Sequence, residues 1–156
     1  MFVCERAHLL ESLVIGNADN LKIVVRAGAG YDNLDLAAAT EKNIVCMNTP
    51  GQNSNAVAEL AFGMMVYLAR NQFQPKAGRE LLGKKIGIHA FGNVGRNIAR
   101  IAMGFGMEVY ALDPFVDDDT LKAEGVIPVH TPEELYKTCD YISLHLQGVR
   151  ELFARF

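Results

Sequence analysis

The clearest chemistry in this chain sits in Ala90-Phe91-Gly92-Asn93-Val94-Gly95 and in Asp113, 18 positions after Gly95. A turn of small residues lets the backbone come close to a phosphate. Gly92 keeps a Cβ out of the path of a pyrophosphate, and Gly95 lets the following helix lie close on the preceding strand. Asn93 and Val94 stand where that helix begins, so their N–H groups face the phosphates with favourable partial charge. Asp113 has the spacing of an acid that accepts hydrogen bonds from a ribose diol. Ala90 occupies the place where the full G-x-G-x-x-G pattern has its first glycine, so the pattern is degenerate. Its support comes from context: apolar run, turn, helical pattern, apolar run, acid. The plainer alternative is an ordinary glycine-rich β–α turn.

A second candidate is Arg26-Ala27-Gly28-Ala29-Gly30. Backbone N–H groups at Gly28 and Gly30, with a guanidinium at Arg26, suit a carboxylate or phosphate. Taken alone, the stretch reads as a strand-to-helix turn with Arg26 solvated. Thr49 opens the turn Thr49-Pro50-Gly51, where proline and glycine suffice to explain the turn. Of the four histidines, His89 falls inside an apolar run and reads as a core residue, His8 and His130 read as surface residues, and His145 ends a strand. Glu59 lies on an apolar helical stretch and reads as a paired structural residue. Three cysteines, Cys4, Cys46 and Cys139, are far apart. Cys46 and Cys139 read as small core residues, no metal site is expected, and a reducing, cytoplasmic setting fits.

The elements that must position these groups alternate along the chain. Helical spacing runs over 7–14, with Leu9, Leu10, Leu13 and Val14 on one face. Strands are expected at Leu21–Val25 and Asn43–Met47, with a short helix at Asp35–Lys42 between them. Asn53–Arg70 is the strongest helix and is apolar nearly all round, which predicts burial between layers. Gln72–Gly83 is polar, carries Pro75 and Gly78, and reads as the connector between two domains, 1–78 and 79–156. Strands follow at Lys85–His89 and Met107–Leu112, a loop and short helix over Pro114–Glu124, and strands at Val126–Val129 and Tyr141–Leu146. Thr131-Pro132-Glu133-Glu134 is a helix start, with threonine as cap, proline in the first turn and acids favouring the dipole. Strand–helix alternation of this kind predicts a parallel sheet covered by helices.

Composition sets bounds. Half the residues are hydrophobic, 21% are charged and the net charge is −3. A sizeable core is possible, and mild acidity argues against a nucleic-acid surface. No apolar run reaches the ~20 residues of a membrane span, and the first residues lack the pattern of a signal peptide.

From about Leu21 to His145 the chain resembles the D-2-hydroxyacid dehydrogenase family. The likeness is carried by Arg26 to Asn33, by Asn48-Thr49-Pro50-Gly51-Gln52-Asn53-Ser54, by Val57-Ala58-Glu59 with Arg70, by the glycine turn with Asp113, and by Cys139 to His145. The resemblance implies an α/β fold with a mostly parallel Rossmann-like sheet, helices on both faces, and two lobes, both incomplete here. It implies NAD as cofactor, held by Gly92, Asn93, Val94, Gly95 and Asp113, with Thr49 opening a loop that borders the cleft and touches the cofactor, and His145 shaping the cofactor wall. It implies that Arg26, Ala27 and Gly28 belong to a loop that holds the carboxylate of a small 2-hydroxy acid. The family's catalytic Arg, Glu and His have no matching motif here. Arg150 and Arg155 do not fit, so no catalytic residue is assigned and the chain is read as a piece. The alternative functions are an NAD-binding module without turnover and a co-repressor-like interaction protein. Self-association that covers strand edges, or pairing with a full-length paralogue, is expected.

Overall fold

A computed structural model describes residues 2–4 and 12–146. Two compact units divide between Asn53 and Ser54.

In the first unit, β1 (Phe2–Cys4), β2 (Ile23–Arg26) and β3 (Val45–Asn48) form a parallel sheet in the order β1-β2-β3. The expected helix over 7–14 falls mostly outside the described residues; α1 is Ser12–Gly16. The second helix, α2 (Leu36–Glu41), begins where the Asp35 carboxylate accepts from the Ala38 N–H at 3.0 Å, a side-chain cap that satisfies one orphan donor. Ile15, Val24, Leu34, Ala39 and Ile44 make the core of this unit.

The second unit begins with α3 (Ser54–Ala69) and a short 3-10 turn at Asn71–Phe73. It continues with β4 (Lys85–His89), α4 (Asn93–Gly104), β5 (Glu108–Leu112), α5 (Asp118–Ala123), β6 (Ile127–Pro128), α6 (Pro132–Thr138) and β7 (Tyr141–Leu144). All pairings are parallel, in the order β6-β5-β4-β7. The chain thus builds outward from β4 through β5 to β6, then returns to place β7 on the other side of β4. That reversal between β4 and β7 is a topological switch point, where ligands of open α/β sheets bind at the strands' carboxyl ends. One face of the sheet, with Ile86 and Ile88, packs on Ile98, Ala99 and Ala102 of α4. The other face carries His89, Leu112 and Val129 under Leu135 and Tyr136 of α6. Thr131 caps α6 as its sequence implies, its hydroxyl accepting from the Glu134 N–H at 3.2 Å.

Two expectations meet a different outcome. The sequence placed the junction near 78/79, whereas the compact units meet at Asn53/Ser54. The reason is packing: α3 lies on α4, with Phe62 stacked on Phe105 at 5.2 Å. The expected all-round burial of α3 also fails. Ala58, Phe62 and Ala69 are buried, but Val57, Leu60, Met64, Tyr67 and Leu68 are exposed. The readings placed on 147–156, including Arg150 and Arg155, lie outside the described residues.

Candidate functional site

Strand register brings the second unit's candidate residues into one line. His89 pairs with Leu112 on one side and with Leu144 on the other. The next residue on each strand is therefore Asp113, Ala90 and His145, side by side at the carboxyl edge. Backbone bonds hold the edge level: Ala90 N–H donates to Leu112 O and His145 N–H to His89 O, both at 2.9 Å.

The glycine turn then leads into α4. Gly92 is the N-cap, with an extended backbone and no side-chain cap bond. The first N–H groups of α4, from Asn93 and Val94, therefore meet no capping side chain, which leaves them for an anion. A Cβ added at Gly92 would meet nothing within 4 Å. Its glycine is not required by the chain's own packing, which is what a cradle for a foreign group looks like. Gly95 is different. A Cβ there would lie 2.6 Å from the Ala90 carbonyl oxygen and 3.1 Å from Ile88 Cγ2, so glycine is needed for α4 to approach β4.

Ala90 has φ +78°. That is the left-handed region, the reason the pattern favours glycine at this place. Substituting Ala90→Gly should therefore stabilise the chain, by roughly 1 kcal/mol once the added freedom of the unfolded state is subtracted. Gly95→Ala should destabilise it by about 1–3 kcal/mol through overpacking. Urea unfolding of the two variants beside the unaltered chain checks both signs.

Asp113 has a role the sequence did not reveal. Its Oδ2 accepts from Phe91 N–H at 2.7 Å and its Oδ1 from Phe115 N–H at 2.9 Å. It therefore ties the glycine turn to the end of β5, with carboxylate lone pairs left over for further donors. Arg96 caps the arrangement, stacking over the buried Phe91 ring at 5.0 Å and pairing with Glu124.

His145 is half-buried, and its Nε2 lies 2.8 Å from the Ser143 hydroxyl. His89 is buried, as its apolar run implied, and its Nδ1 is hydrogen-bonded to the Tyr136 hydroxyl at 2.8 Å. Burial holds both imidazoles below the ordinary value of 6.5, with the Asp113 charge opposing the shift at His89. The unfolded chain thus takes up these protons first. Stability should be complete above about pH 6.5 and fall as the pH drops from there toward the lowered folded values. Unfolding free energies measured across that range should show this slope, and His89→Gln or His145→Gln should flatten it. The Cys139 thiol, half-buried, is pushed up to about 11 by desolvation, so it is an inert thiol at neutral pH.

The first unit has its own candidate loop at the carboxyl end of β2. Thr49 N–H donates to Gly28 O at 3.0 Å and the Asn48 side chain to Ala29 O at 2.7 Å, so the end of β3 braces the Arg26–Gly30 loop. Here two sequence readings are corrected. Arg26 is not solvated; it is 7% exposed, and its Nε has no hydrogen-bond partner. Nor does Gly28 offer its N–H outward, because that group closes onto Arg26 O at 2.9 Å. Glycine is required there by φ +153° and by the guanidinium, since a Cβ would lie 1.5 Å from Arg26 Nη1. A buried guanidinium nitrogen left without a partner is costly unless an anion completes it. Asn48 was the residue missed, and no sequence signal marked its bond to Ala29. Glu59 is exposed and accepts from the Asn55 side chain at 2.7 Å. His130 is exposed, 3.5 Å from Asp118, and His8 lies outside the described residues.

A sequence profile described as "D-isomer specific 2-hydroxyacid dehydrogenase, catalytic domain" matches residues 2–143. The chain belongs to this family. A hydroxypyruvate reductase of Thermotoga maritima is 41% identical over 146 residues, covering 85% of this chain and 46% of that protein. A D-3-phosphoglycerate dehydrogenase of Methanocaldococcus jannaschii is 38% identical, over 85% of this chain and 28% of that protein. Among solved structures, the NAD+-bound 3-phosphoglycerate dehydrogenase of Entamoeba histolytica superposes with a TM-score of 0.82 at 42% identity, covering 92% of this chain and 45% of that one. The chain thus spans about half the length, or less, of the relatives it matches. Among the described residues no helix is long and apolar enough to cross a membrane, and no group of three His, Cys, Asp or Glu side chains could hold a metal ion.

Proposed function

We propose that Ser54–Leu146 is the first half of an NAD-binding domain and that the first unit is part of a substrate-binding domain. Together they serve the oxidoreduction of a small 2-hydroxy acid of the 3-phosphoglycerate kind. One observation carries the reading: the register that lines up Ala90, Asp113 and His145 at the switch point, in front of an uncapped helix N-terminus. Asn93 and Val94 N–H groups hold the pyrophosphate there, Gly92 admits it, and Asp113 holds a ribose. His145 lines the cofactor wall. NAD, when bound, supplies the acceptor for the substrate's hydride. In the first unit, Arg26 takes the carboxylate or phosphate of the substrate, with Ala27, Gly28 and Thr49 shaping the loop around it. A place in serine biosynthesis and a cytoplasmic setting rest on the likeness to phosphoglycerate dehydrogenases alone.

A second reading is a nucleotide-binding module without turnover. It is favoured by the engagement of each described histidine: His89 with Tyr136, His145 with Ser143, His130 with Asp118.

Calorimetric titration with NAD tests the cofactor site. Binding is expected in the unaltered chain. Gly92→Val should abolish it at a cost of only about 1 kcal/mol in urea unfolding from the poorer helix cap, because a Cβ there enters open space. Unchanged binding in Gly92→Val would place NAD elsewhere.

A further inference from the structure

The tie between Asp113 and the glycine turn runs through one residue, Phe91. Its N–H donates to Asp113 Oδ2 at 2.7 Å, and its ring is fully buried. Gly92, the N-cap of α4, follows it in the chain. The seat of the Phe91 ring therefore sets two things, the direction of the carboxylate and the entry of the turn into the helix. One wall of that seat is a guanidinium. Arg96, in the first turn of α4, donates its N–H to Gly92 O at 3.0 Å and holds its Cζ 5.0 Å from the Phe91 ring centroid. Glu124, the residue that ends α5, pairs with the same guanidinium. With the two side chains 39% and 35% exposed, the ion pair by itself contributes little to stability. Its consequence is orientation. An arginine has many rotamers, and a carboxylate beyond the ring selects the one that stacks.

We propose that Arg96 is a positioning residue for the ribose acid: Glu124 pins Arg96, Arg96 seats Phe91, and the Phe91 amide turns the Asp113 carboxylate toward the cofactor. The proposal rests on the reading of Asp113 as the acid that holds a ribose. Arg96 itself touches no part of the cofactor in this scheme. The same cation could act in another way, by drawing the pyrophosphate through space. Two observations favour the seat. Glu124 neutralises the guanidinium at contact, and the face of the guanidinium is taken up by the Phe91 ring. A guanidinium that recruits a phosphate keeps its charge uncompensated and its N–H groups turned to the ligand. The two schemes also predict opposite signs. Removing Glu124 leaves more positive charge near the turn, which strengthens recruitment but loosens the seat. Removing the charge of Arg96 harms recruitment of NADP more than of NAD, because NADP carries the greater negative charge. Loosening the seat harms NAD more, because only the 2′-hydroxyl gains from a well-aimed carboxylate.

Calorimetric titration of the 156-residue chain with NAD and with NADP tests the proposal. Glu124→Gln should weaken NAD binding by roughly 3-fold, the scale of a half-exposed ion pair. Arg96→Met keeps an unbranched side chain over the ring without the charge, and should weaken NAD binding by roughly 10-fold and NADP binding less. In a chain that already carries Asp113→Ala, adding Glu124→Gln should leave NAD affinity unchanged, because its effect passes through that carboxylate. A second measurement needs no cofactor. Hydrogen exchange at the Phe91 N–H, read by NMR, should quicken several-fold in Glu124→Gln, while exchange at the Ile98 N–H inside α4 stays as it is. Tighter NAD binding in Glu124→Gln, an effect that persists without Asp113, a larger loss for NADP than for NAD in Arg96→Met, or unchanged exchange at Phe91 would each overturn the proposal. Failure of the unaltered chain to bind NAD, with Phe91 exchange responding as expected, would overturn the cofactor reading and leave the seat standing.

Discussion

Asp113→Ala is expected to weaken NAD binding by roughly 10- to 150-fold and to narrow the preference for NAD over NADP. The affinity estimate comes from one or two charge-assisted hydrogen bonds to ribose hydroxyls, about 1.5–3 kcal/mol. The narrowing comes from a different cause. A carboxylate facing a 2′-phosphate is a like-charge contact that costs several kcal/mol, and removing the carboxylate removes that cost. The structure adds a third effect. Asp113 also holds Phe91 N–H and Phe115 N–H, at 2.7 and 2.9 Å, so alanine leaves both donors without their partner. About 1–3 kcal/mol of stability should go with a half-buried donor left unsatisfied. Asp113→Asn separates the effects. Its single carbonyl can keep the Phe91 bond and most of the stability, while the charge that repels a phosphate is gone. Calorimetry with both cofactors, beside urea unfolding of all three chains, reads each effect independently. Equal affinity of the unaltered chain for NAD and NADP would remove Asp113 from the ribose site.

The glycine turn was legible because each of its parts answers a local rule. Small residues follow an apolar run, an amphipathic helix follows them, and an acid ends the next strand. The register confirms that order by bringing Asp113, Ala90 and His145 abreast. What stayed hidden depends on partners far along the chain. Asp113 lies 22 residues from Phe91, and nothing in Asp113-Pro114-Phe115 shows which amide its carboxylate will reach. Arg26 reads as a solvated arginine because arginines rarely bury alone. Its burial over Gly28 follows from how β2 and β3 pair, with Arg26 opposite Asn48. Ala90 looked like a departure from the pattern; its φ of +78° shows the backbone keeping the glycine conformation with an alanine in place. α3 misled in the opposite direction. An all-round apolar helix satisfies the rule for a buried one, yet a helix can bury only the sides that neighbours occupy, and here α4 occupies one.

The purified 156-residue chain, saturated with NAD and 3-phosphoglycerate, is expected to produce no NADH at a useful rate. Removing hydride from C2 leaves a carbonyl only if the hydroxyl proton departs as well, so a positioned base is required. The described histidines do not supply one with the family's arrangement. His89 is buried at the foot of the turn and bonded to Tyr136. His130 stands exposed beside Asp118. His145 lies at the carboxyl edge, but its Nε2 is engaged by Ser143 and burial lowers its proton affinity. Loss of general-base help alone costs roughly 10²–10⁴-fold. Binding does not depend on these groups, so a chain that titrates normally with NAD and still fails to turn over is the expected combination. A rate near ~10 per second would refute the claim. His145 would then be the base to examine, because it stands only half-buried at the carboxyl edge of the switch point whereas His89 is buried, and His145→Gln should abolish the rate while leaving NAD affinity within a few-fold.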